Sequence, residues 1–247
     1  MKSSKGKTFV NLGWIQKISF HKFHYKMLMN VNHLISEMIS QERCNILLDI
    51  GVHKGDASVQ YVKKSNADLI GIDWRDERSD EYKKRFTDFH VVDLEKNKLP
   101  FEDNFFDVVV CNQVLEHIKN IYTPLTEIWR VLKPNSIFCF SVPNLASFHN
   151  RLLLAIGEQP STIRSMGAHV RGFTMKESIR LLTYNNLFQI CSVLGVGLLP
   201  LYSKKLPSIA SSLAHTSVIF CKKNKIKKIT WSEIMFSKSA STNFYTT

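Results

Sequence analysis

The chain has 247 residues, 44% of them hydrophobic and 22% charged, a balance that suits a soluble globular protein built on one α/β domain with additions at its ends. Its net charge of +12 lies at those ends. Residues 1–40 hold six Lys against one Glu, 222–247 again six Lys against one Glu, and the body between is nearly neutral. Neither a membrane span nor a secretory signal is expected: the longest weakly polar run, 193–202, is short and broken by Pro200, and no apolar core follows the basic start.

Five scattered cysteines without C-x-x-C spacing predict reduced thiols in a cytosolic protein, not disulfides or a zinc site. The basic ends (1–40, which includes a helix, and 222–247) read either as solvated tails or as contacts for an anionic membrane face or nucleic acid, and charge alone does not choose.

In chain order, "YKMLMNVNHLISEMIS" (25–40) sets Leu28, Val31, Leu34, Ile35 and Met38 at helical spacing and predicts an amphipathic helix. Strands are expected at 45–50, 68–73, 89–93, 106–112, 136–142, 187–195 and 215–221. Helical segments are expected from about Gly55, at 77–86, 122–133 and 174–186, the last capped by Thr174 with Glu177 three residues on. The alternation predicts a Rossmann-like, seven-stranded, mostly parallel sheet with helices on both faces over 41–221. Residues 143–173 fit no element and read as a long insertion after the fifth strand, a place where function commonly resides.

Ligands of such sheets bind beyond the carboxyl ends of the strands. This selects the loop Asp49–Gly55, then Asp73, Asp93, Cys111–His117 and Ser141–Asn144. In "NILLDIGVHKGDAS" (45–58), Gly51 and Gly55 meet the need of a tight strand-to-helix turn. A dinucleotide fingerprint would require glycines where His53 and Asp56 stand, and the triphosphate loop with its Gly-Lys-Ser/Thr end is also missing. Asp73 ends the second strand, where a carboxylate can accept from both ribose hydroxyls, and Trp74 beside it can lie on an adenine ring. Taken singly, such an Asp is more often a turn residue. The series of acidic strand ends around one glycine loop raises the functional reading.

Several of these segments together resemble the class I S-adenosylmethionine-dependent methyltransferases. "LLDIGVHKG" is similar to their D-x-G-x-G-x-G loop with His53 at the middle glycine, "LIGID" to the acidic second-strand motif, and "VVDLEKNKLPFEDNFFDVVVCNQVLEHI" (91–118) is the most specific match. "LTEIWRVLKPNSIFCFSVPN" (125–144) resembles the segment that ends in a Gly-Gly turn, here Asn135 and Ser136; asparagine tolerates the left-handed backbone such a turn needs. The resemblance implies S-adenosylmethionine as cofactor, with Asp49, Gly51 and Gly55 at its methionine part, Asp73 and Trp74 at the ribose and adenine, Asp93 and Leu94 at the adenine, and Asn112 beside the sulfonium methyl. His53 is expected to point outward and to weaken binding; the alternative is a decayed, silent site.

The implied reaction is in-line displacement at an activated methyl, which asks the protein mainly to align two partners. His117 is the nearest ionisable group for a proton-accepting role, against the plainer reading that it orders its loop. The insertion supplies Asn144, His149, His169 and Arg171 as candidates for binding a small-molecule acceptor, and "GAHVRGFT" (167–174) resembles segments of relatives acting on saccharide or isoprenoid-type metabolites. Nucleic acid is disfavoured: after the fourth strand stands "CNQV" where amino-methylating DNA enzymes carry a Pro-Pro motif, no Pro-Cys pair exists, and aromatics are not interleaved with the basic ends. The second reading is a silent methyltransferase-like protein that binds a partner or a membrane through those ends.

Overall fold

A computed structural model of the chain describes residues 13–197 and 211–224, with side chains from Tyr25 onward. Residues 1–12 and 225–247, most of the two basic ends, and the second half of the 193–202 run lie outside the described residues. No described helix is long and apolar enough to cross a membrane.

Seven strands form one sheet: β1 (Ile46–Ile50), β2 (Asp68–Asp73), β3 (Asp88–Val91), β4 (Phe106–Asn112), β5 (Leu132–Pro143), β6 (Phe188–Val196) and β7 (Thr216–Lys223). Their order is β3-β2-β1-β4-β5-β7-β6, parallel throughout except for β7, which runs antiparallel to both neighbours. The chain leaves β1 for one side of the sheet and returns to β4 on the other. The reversal of order therefore falls between β1 and β4, and a crevice opens at their carboxyl ends.

Alternation along the strands sends side chains to two separate cores. Leu48, Ile70, Val109 and Phe138 face one side, with Leu125 and Ile128 of α4 (Tyr122–Val131) and Leu182 of α6 (Met175–Thr183). Leu47, Leu69, Val108 and Cys139 face the other, with α2 (Asp56–Tyr61) and α1 (Gly13–Ser40). α1 starts well before the residue at which its apolar spacing becomes readable. Its Val31, Ile35 and Ile39 are fully enclosed against the sheet, each burial contributing about 1.5–3 kcal/mol, so this helix is part of the same core.

Two expected elements differ. The helix expected at 77–86 is one turn, α3 (Asp80–Lys83), because Arg78 is clamped by both carboxylate oxygens of Asp76 and lies over the ring of Phe89, which holds the chain extended just before it. The insertion 143–173, read as irregular, contains a helix, α5 (Phe148–Ala155). The Thr174 cap forms as expected, its hydroxyl accepting from the Glu177 N–H at 3.1 Å, and Asn135 takes a left-handed φ of 63°.

Gly71 in the middle of β2 has a packing reason. A Cβ there would sit 2.7 Å from a Val52 methyl and 2.8 Å from the Phe86 ring. Gly71→Ala should therefore overpack the β2–loop contact by about 1–3 kcal/mol and lower the thermal midpoint by about 3–10 °C, read by circular dichroism; an unchanged midpoint would contradict this packing.

Candidate functional site

The β1 loop is held from three directions. Asp49 is enclosed, and its carboxylate accepts from the Ser58 hydroxyl of α2 at 2.5 Å; burial pushes its pKa up to about 7. Gly51 donates its N–H to the Ile72 carbonyl at 2.9 Å, which ties the loop to β2. Its φ is +82°, and a Cβ would lie 2.3 Å from a Val114 methyl, so both backbone and space demand glycine. Gly55 (φ +90°) opens α2.

Asp73 completes the frame. One carboxylate oxygen accepts the His53 N–H and the other the Trp74 N–H, both at 2.7 Å. His53 thus serves through its backbone. With φ at +50° its ring is turned out, two-thirds exposed and 3.8 Å from Glu77. Trp74 is 65% exposed, and the Arg75 guanidinium lies 4.2 Å over its ring. Val92 donates to the Asp73 carbonyl, bringing Asp93 to the same edge; there Asp93 caps the Glu95 N–H at 3.0 Å and pairs with Lys96 at 2.8 Å, which lowers its pKa. Leu94 packs on the core.

Across the crevice Asn112 ends β4. Its amide donates to the Tyr61 hydroxyl at 2.8 Å and to Asn32 of α1 at 3.1 Å, and Tyr61 itself donates to Asn32 at 3.3 Å. The Asn112 carbonyl oxygen is buried and has no partner.

Comparison with known proteins agrees with this geometry. Residues 48–140 match the profile of a family described as a methyltransferase domain. Those residues are similar to the methyltransferase domain, and the sheet has the fold of class I S-adenosylmethionine-dependent methyltransferases. It is similar to the sterol 24-C-methyltransferase of Aspergillus fumigatus, 26% identical over 51% of this chain and 36% of that one. It is also similar to the ubiquinone/menaquinone biosynthesis C-methyltransferase of Desulfotalea psychrophila, 36% identical over 36% of this chain and 37% of that one. The matched region thus spans well under half the length of these relatives. Among solved structures, the 1,6-didemethyltoxoflavin-N1-methyltransferase of Burkholderia thailandensis, bound to its substrate and S-adenosylhomocysteine, shares the fold: TM-score 0.52 and 14% identity, covering 90% of this chain and 94% of that one.

The residues at these strand ends fit S-adenosylmethionine, the cofactor of that fold family. Asp73 spends one lone pair per oxygen on backbone N–H groups and keeps the others for a ribose diol. The Asn112 oxygen, at the end of β4, is a buried acceptor without a partner, a costly arrangement that a hydrogen-bond donor of a ligand would relieve.

The residues expected at the acceptor side come from the turn after β4 and from the insertion. Val170 and Arg171 donate their N–H groups to the Glu116 carbonyl, folding 167–173 back over a single 3-10 turn, Leu115–His117. Glu116 is 1% exposed, neither carboxylate oxygen has a partner, and burial pushes its pKa up to about 8. His117 donates from Nδ1 to the Ala168 carbonyl at 3.2 Å, and partial burial lowers its pKa. His169 donates from Nδ1 to the Thr162 carbonyl at 2.7 Å, and its ring meets that of His117 edge to face, centroids 4.7 Å apart. Arg171 donates to the Lys119 carbonyl at 2.8 Å.

Two of the candidate acceptor residues are placed differently. Asn144 is fully enclosed, donating to the Ser212 and Ala214 carbonyls and accepting from Ala146, so its amide has no group left for an acceptor. His149 is held between the Ser147 and Ser161 hydroxyls and stacked on His215, centroids 5.2 Å apart. Sequence reasoning passed over Ser58, Tyr61 and Asn32, and gave no role to Glu116 although it lies within the selected stretch Cys111–His117.

Unfolded, Asp49 ionises near the ordinary value of about 3.9, whereas the fold keeps it protonated up to about 7. Its contribution to stability is fullest below the lower value and is lost as pH rises toward the upper one. Asp49→Asn should remove this dependence. Between about pH 5 and about pH 8 the wild type should lose on the order of 3 kcal/mol more stability than the variant in urea unfolding. Parallel pH profiles would overturn the assignment.

Proposed function

We propose that this chain transfers the methyl group of S-adenosylmethionine to a small, lipid-linked acceptor that enters beneath the insertion 143–173. The observation that carries the reading is the Asp73–glycine-loop frame at the ends of β1 and β2, with the Glu116–His117 turn and His169 gathered after the neighbouring strand β4. The first can hold a nucleoside; the second places basic and acidic groups where a second molecule would meet it.

Bound cofactor supplies an activated methyl. The chain's own work is alignment, and near-attack placement of two reactants is worth about 7–11 kcal/mol of barrier. Asp73 would bind the ribose hydroxyls, with the loop held rigid by Asp49 through Ser58. Trp74 would give the adenine an exposed face, and Asn112 would accept from the cationic end. Asp93 and Leu94 border the same edge. The chain's residues would hold the acceptor in line with that methyl, and any proton the acceptor must lose would pass to a base. His117 is the nearest candidate, because donation from Nδ1 to Ala168 leaves the Nε2 lone pair free.

A lipid-linked acceptor is supported by the insertion's surface. Leu152, Leu154, Ile156, Met166 and Val170 are all at least half exposed, Met166 fully so, beside Arg151 and Arg164. Five exposed large apolar side chains within one insertion suit an apolar ligand or interface. The two relatives named above are methyltransferases of a sterol and of quinone biosynthesis, consistent with acceptors of that character.

Calorimetric titration of the purified chain with S-adenosylmethionine tests the reading. Saturable one-site binding is expected, weakened roughly 10- to 100-fold in Asp73→Asn, which loses charge-assisted bonds. His53→Gly should bind within about threefold of wild type, because the backbone N–H is what the site uses. No binding at millimolar cofactor would sink the proposal and favour a silent, partner-binding protein. Transfer of labelled methyl into a lipid extract, but not into water-soluble metabolites, is the expected second result.

A further inference from the structure

We infer that Glu116, His117 and His169 form a site for one divalent transition-metal ion at the mouth of the acceptor side. One ligand-capable atom from each lies within 4.8 Å of the other two. Glu116 and His117 come from the turn after β4; His169 comes from the insertion, 52 residues further along the chain. That separation hid the set from any reading of local spacing, and the argument from cysteines does not bear on it.

Two independent observations make this more than a chance cluster. First, both oxygens of Glu116 are buried without a hydrogen-bond partner, although the residue is 1% exposed. A carboxyl group left so is a cost to the fold unless something else meets it. Second, both histidines donate Nδ1–H to a backbone carbonyl, His117 to Ala168 and His169 to Thr162. This fixes one tautomer in each and leaves each Nε2 with a lone pair, as when a backbone carbonyl orients a metal-binding imidazole.

The spacing agrees. With bonds of about 2.1 Å, an imidazole centroid lies roughly 3.2 Å from its metal, so two rings whose metal bonds open at about 90° have centroids about 4.6 Å apart. The observed centroids are 4.7 Å apart. Ligand atoms on neighbouring positions of one ion are about 3 Å apart, so the set closes with side-chain movements of about an ångström or less. Two imidazoles and one carboxylate select zinc, iron(II), manganese, cobalt or nickel over magnesium and calcium, which favour all-oxygen shells.

Three protein ligands leave open positions, and the exposed side of His117 is where water or an oxygen of the acceptor would take them. The Nε2 of His117 is then spent on the ion instead of on a proton. That use in catalysis rests on the proposed function; the binding site does not.

The test uses the full, untagged chain, stripped with chelator and titrated with Co²⁺ in the absence of S-adenosylmethionine. One equivalent should bind with visible d–d absorption, and Zn²⁺ should displace it. Glu116→Gln and His169→Ala should each bind at least about tenfold more weakly, whereas His33→Ala on α1, far from the cluster in sequence and paired with Glu37, should match wild type. Thermal melts without metal check that each variant is folded; if Glu116→Gln is not, His169→Ala decides. Absence of stoichiometric binding, or binding undiminished in a folded Glu116→Gln or His169→Ala, overturns the inference. Metal binding without cofactor binding would leave this site standing and remove the proposed function; the opposite result would do the reverse.

Discussion

The carboxylate of Asp73 reaches back from the end of β2 to the N–H of His53, and the geometry of the crevice follows from that bond. A loop that leaves a central strand has many ways to turn, and each residue fixed costs about 1–2 kcal/mol in backbone entropy. Here the Gly51 N–H is fixed on Ile72, the His53 N–H on Asp73 and the Asp49 carboxyl on Ser58, so the turn is pinned at its start, middle and far side. The pinning works through backbone groups at the one position where the side chain looks unsuitable. A left-handed φ at His53 is uncommon for a bulky residue, and the bond to Asp73, with Glu77 near the ring, is what maintains it. The histidine is therefore compatible with a ligand on the other side of the loop.

The crevice is also tied to an element that family resemblance does not cover. Tyr61, Asn112 and Asn32 form a closed set of hydrogen bonds joining α2, β4 and α1, with Tyr61 and Asn32 buried. Buried polar networks of this kind specify one arrangement when satisfied and are costly when partly so. This one is satisfied except at the Asn112 oxygen. The N-terminal helix thus does more than cover apolar surface. It supplies a polar atom that decides which way the strand-end asparagine points.

Much of the fold was legible from the sequence because its signals are local. Valine-rich β4, the Thr174 cap and the Asp at each strand end are read within a few residues. Gly51 and Gly55 were legible as turn residues, although the reason for Gly51 includes Val114, which is distant in sequence. The insertion was not legible. The helix Phe148–Ala155 leaves Leu152 and Leu154 exposed, so its apolar residues do not mark a buried stripe, and nothing in its pattern distinguishes it from a loop. Asn144 and His149 looked like ligand contacts because they are polar and follow a strand. Their partners are the carbonyls of 212 and 214 and the hydroxyls of Ser147 and Ser161, and most of these are set by tertiary structure.

The same distinction separates structural polar residues from functional ones on the insertion. Asn144, Asn150 and His149 have their polar groups consumed by neighbours: Asn144 ties the end of β5 to the 211–214 turn, and Asn150 and His149 tie α5 to Asn144 and Ser161. Glu116 has none consumed, and His117 and His169 each have one ring nitrogen consumed and one left over. A fold under selection only for stability would fill or neutralise such a place, since replacing an unpaired buried acid by an apolar group of similar volume is often stabilising. Unspent polar capacity, concentrated at one corner and supported by fully spent neighbours, is what a site for a second molecule requires. In this chain that corner lies at the carboxyl end of β4, the strand next to β1 and the frame built on Asp73.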